Sequence, residues 1–234
     1  MKIELLLEEQ LLLTTSYIKL IYKKDFDKII IRREYIKFIN LQFGKLLQKD
    51  LIIRVSFKTF KNDYAFNTSD ITINTKEIII SGILNDPLGI YDQGYIDNFK
   101  LLTDQKGKIK WYDLTDKQKY YYLRGCVLLG GVKENIDNRN STIIIDLSNV
   151  QIDLDVYYEI GKSFFTSFGY FGTEFHSFRD CLVSIKESLN QRENMPILKI
   201  KGYKNFEKNF SNNILFSDFY EKFTNVGFKI ENVK

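Results

Sequence analysis

A single histidine, His176, two cysteines, Cys126 and Cys181, and 30 acidic side chains are the groups of this chain best suited to chemistry. One histidine cannot furnish most metal sites, and any Ser-His-Asp or Cys-His arrangement would have to use it. The cysteines lie far apart with no metal or redox spacing around them, which points to free thiols in a reducing compartment. Cys181 reads as a small buried hydrophobe with no base close in sequence except His176. No phosphate-binding loop, G-x-G-x-x-G or H-E-x-x-H occurs. No metal, cofactor or catalytic residue is therefore expected, and a binding protein is favoured over an enzyme. What remains is a set of carboxylates, of which Asp180 has the most informative neighbours. A carboxylate fixed on a helix suits a partner lined with Arg and Lys, because its two oxygens accept charge-assisted hydrogen bonds together.

Asp180 lies in Ser167–Leu182, SFGYFGTEFHSFRDCL. Here two aromatics and a glycine (Tyr170, Phe171, Gly172) precede an amphipathic helix carrying Arg179-Asp180-Cys181-Leu182. This stretch resembles the inhibitory loop and following helix of the barstar family, intracellular inhibitors of a secreted bacterial ribonuclease. The resemblance extends over residues 141–234. It implies an α/β domain with a small parallel sheet and packed helices. It also implies an immunity protein, or antitoxin, whose partner is a nuclease toxin, most readily a ribonuclease, blocked at its active site. In that role Asp180 stands in for a substrate phosphate, and Cys181 and Leu182 are structural. Tyr170 and Phe171 match the family's adjacent loop aromatics. Exposed, they give rigid contact area; the alternative is that one or both plug the core. Gly172 matches a family glycine, for a positive φ or a close approach to the partner. Other positions depart from the family. His176 and Glu174 stand where it has an acid and an Asn, Arg179 where it has an aromatic, and Ser184-Ile185 where it has a Gly-aromatic pair. The family's second acidic contact falls near Lys222, with Glu221 beside it. Basic Arg179 and Lys222 imply a target with acidic residues in its rim. His176 is either a contact residue or a plain exposed side chain.

The 234 residues, 44% of them hydrophobic, suffice for a sizeable core. The net charge of +4 is unevenly spread: the first 140 residues carry a basic excess, while residues 141–185 set six carboxylates against Lys162 and Arg179. An acidic face suits a basic partner, since complementary potentials speed encounter. The opening MKIELLLEEQLLL is interrupted by Glu4, Glu8 and Glu9, unlike a signal peptide, and no apolar run reaches membrane-spanning length. A cytoplasmic protein with no membrane partner is expected.

Positioning these residues requires two domains. Leu5, Leu6, Leu12 and Leu13 with Glu8 and Glu9 fit a short helix, or residues 11–22 already form a strand. From about Lys28 the pattern alternates, with Ile53, Val55 and Phe57 against Arg54, Ser56 and Lys58. After a turn at Asn85–Gly89, the segments Phe99–Leu102, Ile109–Leu114 and Tyr120–Leu129 read as three strands of a meander. A β-rich domain of no recognised family over 1–130 is thus expected, then a polar linker over 131–140 and the barstar-like domain over 141–234, which should tolerate removal of residues 1–140. Within the last, Thr142–Leu147 reads as a strand. A helix capped by Asp153 runs to about Phe168 with Val156, Ile160 and Phe164 inward, and a loop follows. A second helix covers Glu174–Ser188 with Phe175, Phe178, Leu182, Ile185 and Leu189 inward. Ile197–Ile200 is a strand and Asn205–Phe210 a helical turn. A helix capped by Ser217 stops at Gly227, and Phe228–Val233 is the last strand. Such alternation implies a parallel sheet covered by helices. The alternative function is nucleic-acid binding by the basic N-terminal half. There Lys108-Ile109-Lys110-Trp111-Tyr112 and Lys117–Arg124 would place aromatics on strands for base stacking, with steeply salt-dependent affinity.

Overall fold

The structure is a computed structural model that describes residues 1–22, 26–40, 49–85, 93–104, 109–132, 142–165, 168–189 and 196–233, without the side chains of Ser188 and Leu189. The expected turn after Asn85 and most of the 131–140 stretch lie outside the described residues. Two compact units divide the chain, Met1–Lys110 and Trp111–Lys234.

The first unit holds β1 (Lys2–Leu7), β2 (Gln10–Thr15), β3 (Lys19–Tyr22), β4 (Asp27–Arg32), β5 (Ile36–Ile39), β6 (Asp50–Phe57), β7 (Phe60–Ile73), β8 (Glu77–Asn85) and α1 (Gln93–Asp104). Its eight strands form one antiparallel sheet in the order β3-β4-β8-β7-β6-β1-β2-β5. The two ends of that order are joined by the chain itself. Strand β2 runs on into β3, and β4 into β5 through a 3₁₀ turn at Arg33–Tyr35. Because β2 pairs with β5 and β3 with β4, these four make one long bent hairpin. At the bend, the Ser16 amide and the Thr15 hydroxyl both donate to the Tyr35 carbonyl. The hairpin's β2 end pairs with β1 and its β4 end with β8, so the sheet closes on itself. Period-two alternation sends Ile3, Leu5, Ile29, Ile31, Leu51, Ile53, Phe66, Ile78 and Ile80 inward, filling a small barrel with side chains. Leu5 and Leu6 are therefore strand residues. Helix α1 adds Phe99, stacked on Phe57 with centroids 4.9 Å apart, and Gln93, whose side-chain oxygen accepts the Leu20 amide at 2.6 Å.

The three expected meander strands are not strands. Phe99–Leu102 belongs to α1, Trp111–Asp113 is a 3₁₀ turn, and Tyr120–Leu129 lies in α2 (Asp116–Gly130). Two physical reasons explain this. Buried Tyr95, Phe99 and Leu102, and buried Lys119, Leu123 and Cys126, recur at helical spacing. Thr115 and Gln118 also form a reciprocal capping box, with the Gln118 side chain accepting the Thr115 amide at 3.0 Å.

The second unit continues with β9 (Thr142–Asp146), α3 (Asp153–Phe164), α4 (Phe175–Leu189), β10 (Ile197–Lys201), α5 (Tyr203–Phe210), α6 (Ile214–Val226) and β11 (Lys229–Val233). Its three strands are parallel, with β10 central, and Ile143 aligns with Leu198 and Ile230. Ile143, Ile145, Leu198 and Ile200 are buried, whereas Ile144 on the opposite face of β9 is exposed. The core is a cluster of phenylalanines, including Phe164, Phe171, Phe178, Phe219, Phe223 and Phe228. The expected order of strands and helices is present, with altered ends. Asp153 is the first helical residue rather than the cap; Asp155, three residues past Ile152, accepts the Gln151 and Ile152 amides instead. Helix α3 stops at Phe164, not Phe168. Asn213 caps α6 by accepting the Leu215 amide at 2.9 Å, so Ser217 lies inside the helix. Gly227 closes it at φ 108°, as its sequence position suggests.

Candidate functional site

The segment from Phe168 to Ser184 arranges its residues in two sets. Tyr170 and Phe171 go inward. Phe171 is fully buried, with ring centroids 5.1 Å from Phe164 and 5.8 Å from Phe178, and Tyr170 is 8% exposed. Of the two roles open to Phe171, core plug and contact residue, the structure places it in the first. Gly172 is also buried; it has φ 101°, and a Cβ there would lie 2.7 Å from the Phe178 amide nitrogen. Its close approach is to the chain's own α4. Ser167 lies outside the described residues.

The outward set sits on α4 and the residue before it. The Ser177 hydroxyl accepts the Thr173 and Glu174 amides at 2.9 and 3.2 Å and donates to the Glu174 carbonyl, fixing the entry to the helix. Glu174, His176, Arg179 and Asp180 are exposed, and Val183 joins them at 56% exposure. Cys181 and Leu182 are buried behind Asp180, as the apolar period of the helix requires. Burial, and then the Asp180 charge, pushes the Cys181 thiol up to about 12. Ser184 is half-buried and donates back to the Asp180 carbonyl at 3.2 Å. Helix α6 packs on α4, with Phe178 against Phe219 and Phe223. Lys222 on α6 is half-buried and held by its own helix, 3.3 Å from Glu221 and 3.6 Å from Asp218. Its charge is thus partly spent before any partner arrives. Among the described residues no such partner is found for the side chains of Arg179 and Asp180.

A second constellation escaped the sequence reading. Asp155, 1% exposed, accepts from Trp111 Nε1 and Lys119 Nζ, both at 2.8 Å, on one oxygen. Its other oxygen takes the amides of Gln151 and Ile152 at 2.9 and 3.2 Å. One turn on, buried Glu159 accepts from the Tyr112 hydroxyl at 3.1 Å and pairs with Lys162 at 3.0 Å. Trp111 also stacks flat on Tyr158, with centroids 4.1 Å apart. Every oxygen of Asp155 is satisfied, so this network is a staple between the 111–130 segment and α3. The available signal was the lone Trp followed at short range by the capping box Thr115–Gln118. Of the residues expected to stack on nucleic acid, Trp111 and Lys119 are buried here, whereas Tyr112 and Tyr120 are exposed; Lys108 lies outside the described residues.

Where β9 and β10 end, a shallow polar cleft of 770 Å³ is lined by Ser148, Asn149, Gln151, Asn205, Lys208 and Asn209. The Asn205 and Asn209 amides already donate to the carbonyls of Leu147 and Val150, bracing the loop after β9. Among the described residues no group of three or more His, Cys, Asp or Glu side chains could hold a metal ion, and no helix is long and apolar enough to cross a membrane. No protein-family model, curated protein or solved structure matches this chain.

Proposed function

We propose that this chain is a cytoplasmic immunity protein that blocks the active site of a nuclease toxin, a ribonuclease before other nucleases, and that it acts by binding rather than catalysis. The observation that carries the reading is Asp180. Its carboxylate stands exposed on α4, while Cys181 and Leu182 anchor the same turn in the core. Nuclease sites are lined with Arg and Lys to hold phosphate, and a carboxylate on a rigid helix competes for those donors without paying for its own ordering. A small parallel sheet packed with helices is the architecture that the barstar resemblance implies. Since Phe171 is in the core, the contact surface in this reading is the outer face of α4 (His176, Arg179, Asp180, Val183) with Glu174 just before it, Tyr170, Gly172 and Ser184 supporting it and Lys222 at its edge.

The test is inhibition of a small secreted bacterial ribonuclease of the kind barstar-family proteins block, and of any nuclease encoded beside the gene. Wild type should inhibit. Asp180→Ala should weaken inhibition about 30-fold or more, the effect of losing a hot spot of about 2 kcal/mol. The melting temperature should not move, because the side chain is exposed. Inhibition untouched by the substitution would move the interface off α4, and no inhibition of any nuclease would remove the reading.

A further inference from the structure

The loop between α3 and α4 is held at four points before anything binds it. At its start Phe168 takes a left-handed φ of 48°, a conformation that a bulky side chain adopts only when its surroundings impose it. Next, Gly169 lies directly against Gly161 in α3. A Cβ on either residue would fall well inside contact distance of the other's carbonyl oxygen. Then Phe171 is seated among Phe164, Phe165, Phe178 and Phe223. Last, Gly172 meets the backbone of Phe178 and the Ser177 hydroxyl, which also takes the Thr173 and Glu174 amides. The glycine pair is the point that only one residue type can make. Two backbones touch there with no side chain between them.

We propose that the Gly161–Gly169 contact sets the Phe168–Glu174 loop in its partner-binding shape in the free protein, making Gly161 a positioning residue for Glu174 and the first turn of α4. This rests on the inhibitor reading for its consequence, but not for its physics. The loop leads straight into α4, so its path sets where α4 begins. A loop ordered in advance leaves no ordering entropy to be spent on association. Gly161 is buried, and the atoms an added methyl would meet there belong to Gly169, so the substitution acts first on the loop.

The experiment compares wild type with Gly161→Ala, and with Ser177→Ala, which loosens the other end of the loop without adding an atom. Amide hydrogen exchange of the free, full-length protein is read first. In Gly161→Ala the amides of Gly169–Glu174 should exchange at least tenfold faster, while those of β9, β10 and α6 keep their protection. Inhibition of the ribonuclease that wild type blocks should then fall tenfold or more, with a more unfavourable binding entropy than wild type. Ser177→Ala should show a smaller change of the same kind. Unchanged loop exchange in a folded Gly161→Ala overturns the proposal. So does faster loop exchange with unchanged inhibition. If Gly161→Ala does not fold, wild type decides: exchange of the Gly169–Glu174 amides at the rate of an unstructured chain overturns the proposal. Should wild type inhibit no nuclease, the inhibitor reading fails, while the exchange comparison still decides the loop.

Discussion

At the scale of single residues, the buried carboxylate of Asp155 and the exposed one of Asp180 show how environment assigns a role. Asp155 receives four donors on two oxygens. Its removal leaves a buried ammonium, an indole N–H and two amides without an acceptor. Asp155→Ala should therefore cost about 3–5 kcal/mol, read from urea unfolding. Lys119→Met should cost less, about 1.5–3 kcal/mol, because the carboxylate keeps three donors. Equal losses would mean that the ion pair, and not the full set of donors, stabilises the site. Cys181 supplies a pH dependence. Burial raises its thiol to about 12 from an unfolded value near 9, so the folded chain retains a proton that the unfolded chain releases in that window. The associated stability is complete below pH about 9 and is lost as pH climbs to about 12. Half-buried Tyr122 and buried Tyr157 are shifted upward as well and act in the same direction. The Cys181 share is isolated by Cys181→Ala, whose stability should fall less steeply than wild type above pH 9. Parallel curves would show that the thiol does not contribute.

At the scale of elements, helix ends carry more than their local energies. The Asn213 side chain accepts the Leu215 amide and donates to Asp153 at 2.9 Å, so one residue caps α6 and ties it to the start of α3. Asn213→Ala should destabilise by about 2 kcal/mol, the upper end of the range for lost caps, and Asn213→Asp by less. If chemical denaturation finds a loss near 0.5 kcal/mol, the tie to Asp153 is without weight. Elements with a clean period were legible in the sequence. Alternation revealed β6, and the spacing of Phe178, Leu182 and Ile185 revealed α4. Helix α2 was not, because its Tyr-Tyr-Tyr-Leu and Cys-Val-Leu-Leu favour a strand locally, and only tertiary partners decide which face is buried. The loop aromatics were left open between contact and core for a related reason. A sequence shows that Tyr170 and Phe171 flank a glycine, but the direction of Phe171 depends on Phe223, more than fifty residues on, which completes its pocket. Asp180 was legible because its neighbours Cys181 and Leu182 are apolar and fix the outward face. Closure of the barrel was not, since it depends on two strands bending at the same place.

At the scale of the molecule, the boundary between the units is a statement about which residues satisfy one another. A polar stretch with adjacent glycines draws the eye to 131–140, yet the division lies before Trp111. The physical reason is the staple on α3. A chain cut at residue 141 would lose Trp111 and Lys119 as donors to Asp155 and Tyr112 as a donor to Glu159, and would bare the α3 face that α2 covers. Losing the partners of a buried charge costs about 3–5 kcal/mol. A domain of this size has only about 5–15 kcal/mol in total. Fragment 111–234 should therefore unfold in one cooperative transition with near-full stability, whereas 141–234 should be marginal or molten, with near-UV ellipticity lost and far-UV ellipticity partly kept. The double substitution Asp155→Leu and Glu159→Leu, which removes the need for those donors, should recover part of the stability of 141–234 and none of that of 111–234. Should 141–234 prove as stable as 111–234, the staple is incidental and the second unit is complete without it. Should 111–234 itself fail to fold, the parallel sheet depends on residues 1–110, and any interface on α4 would have to be studied in the whole chain.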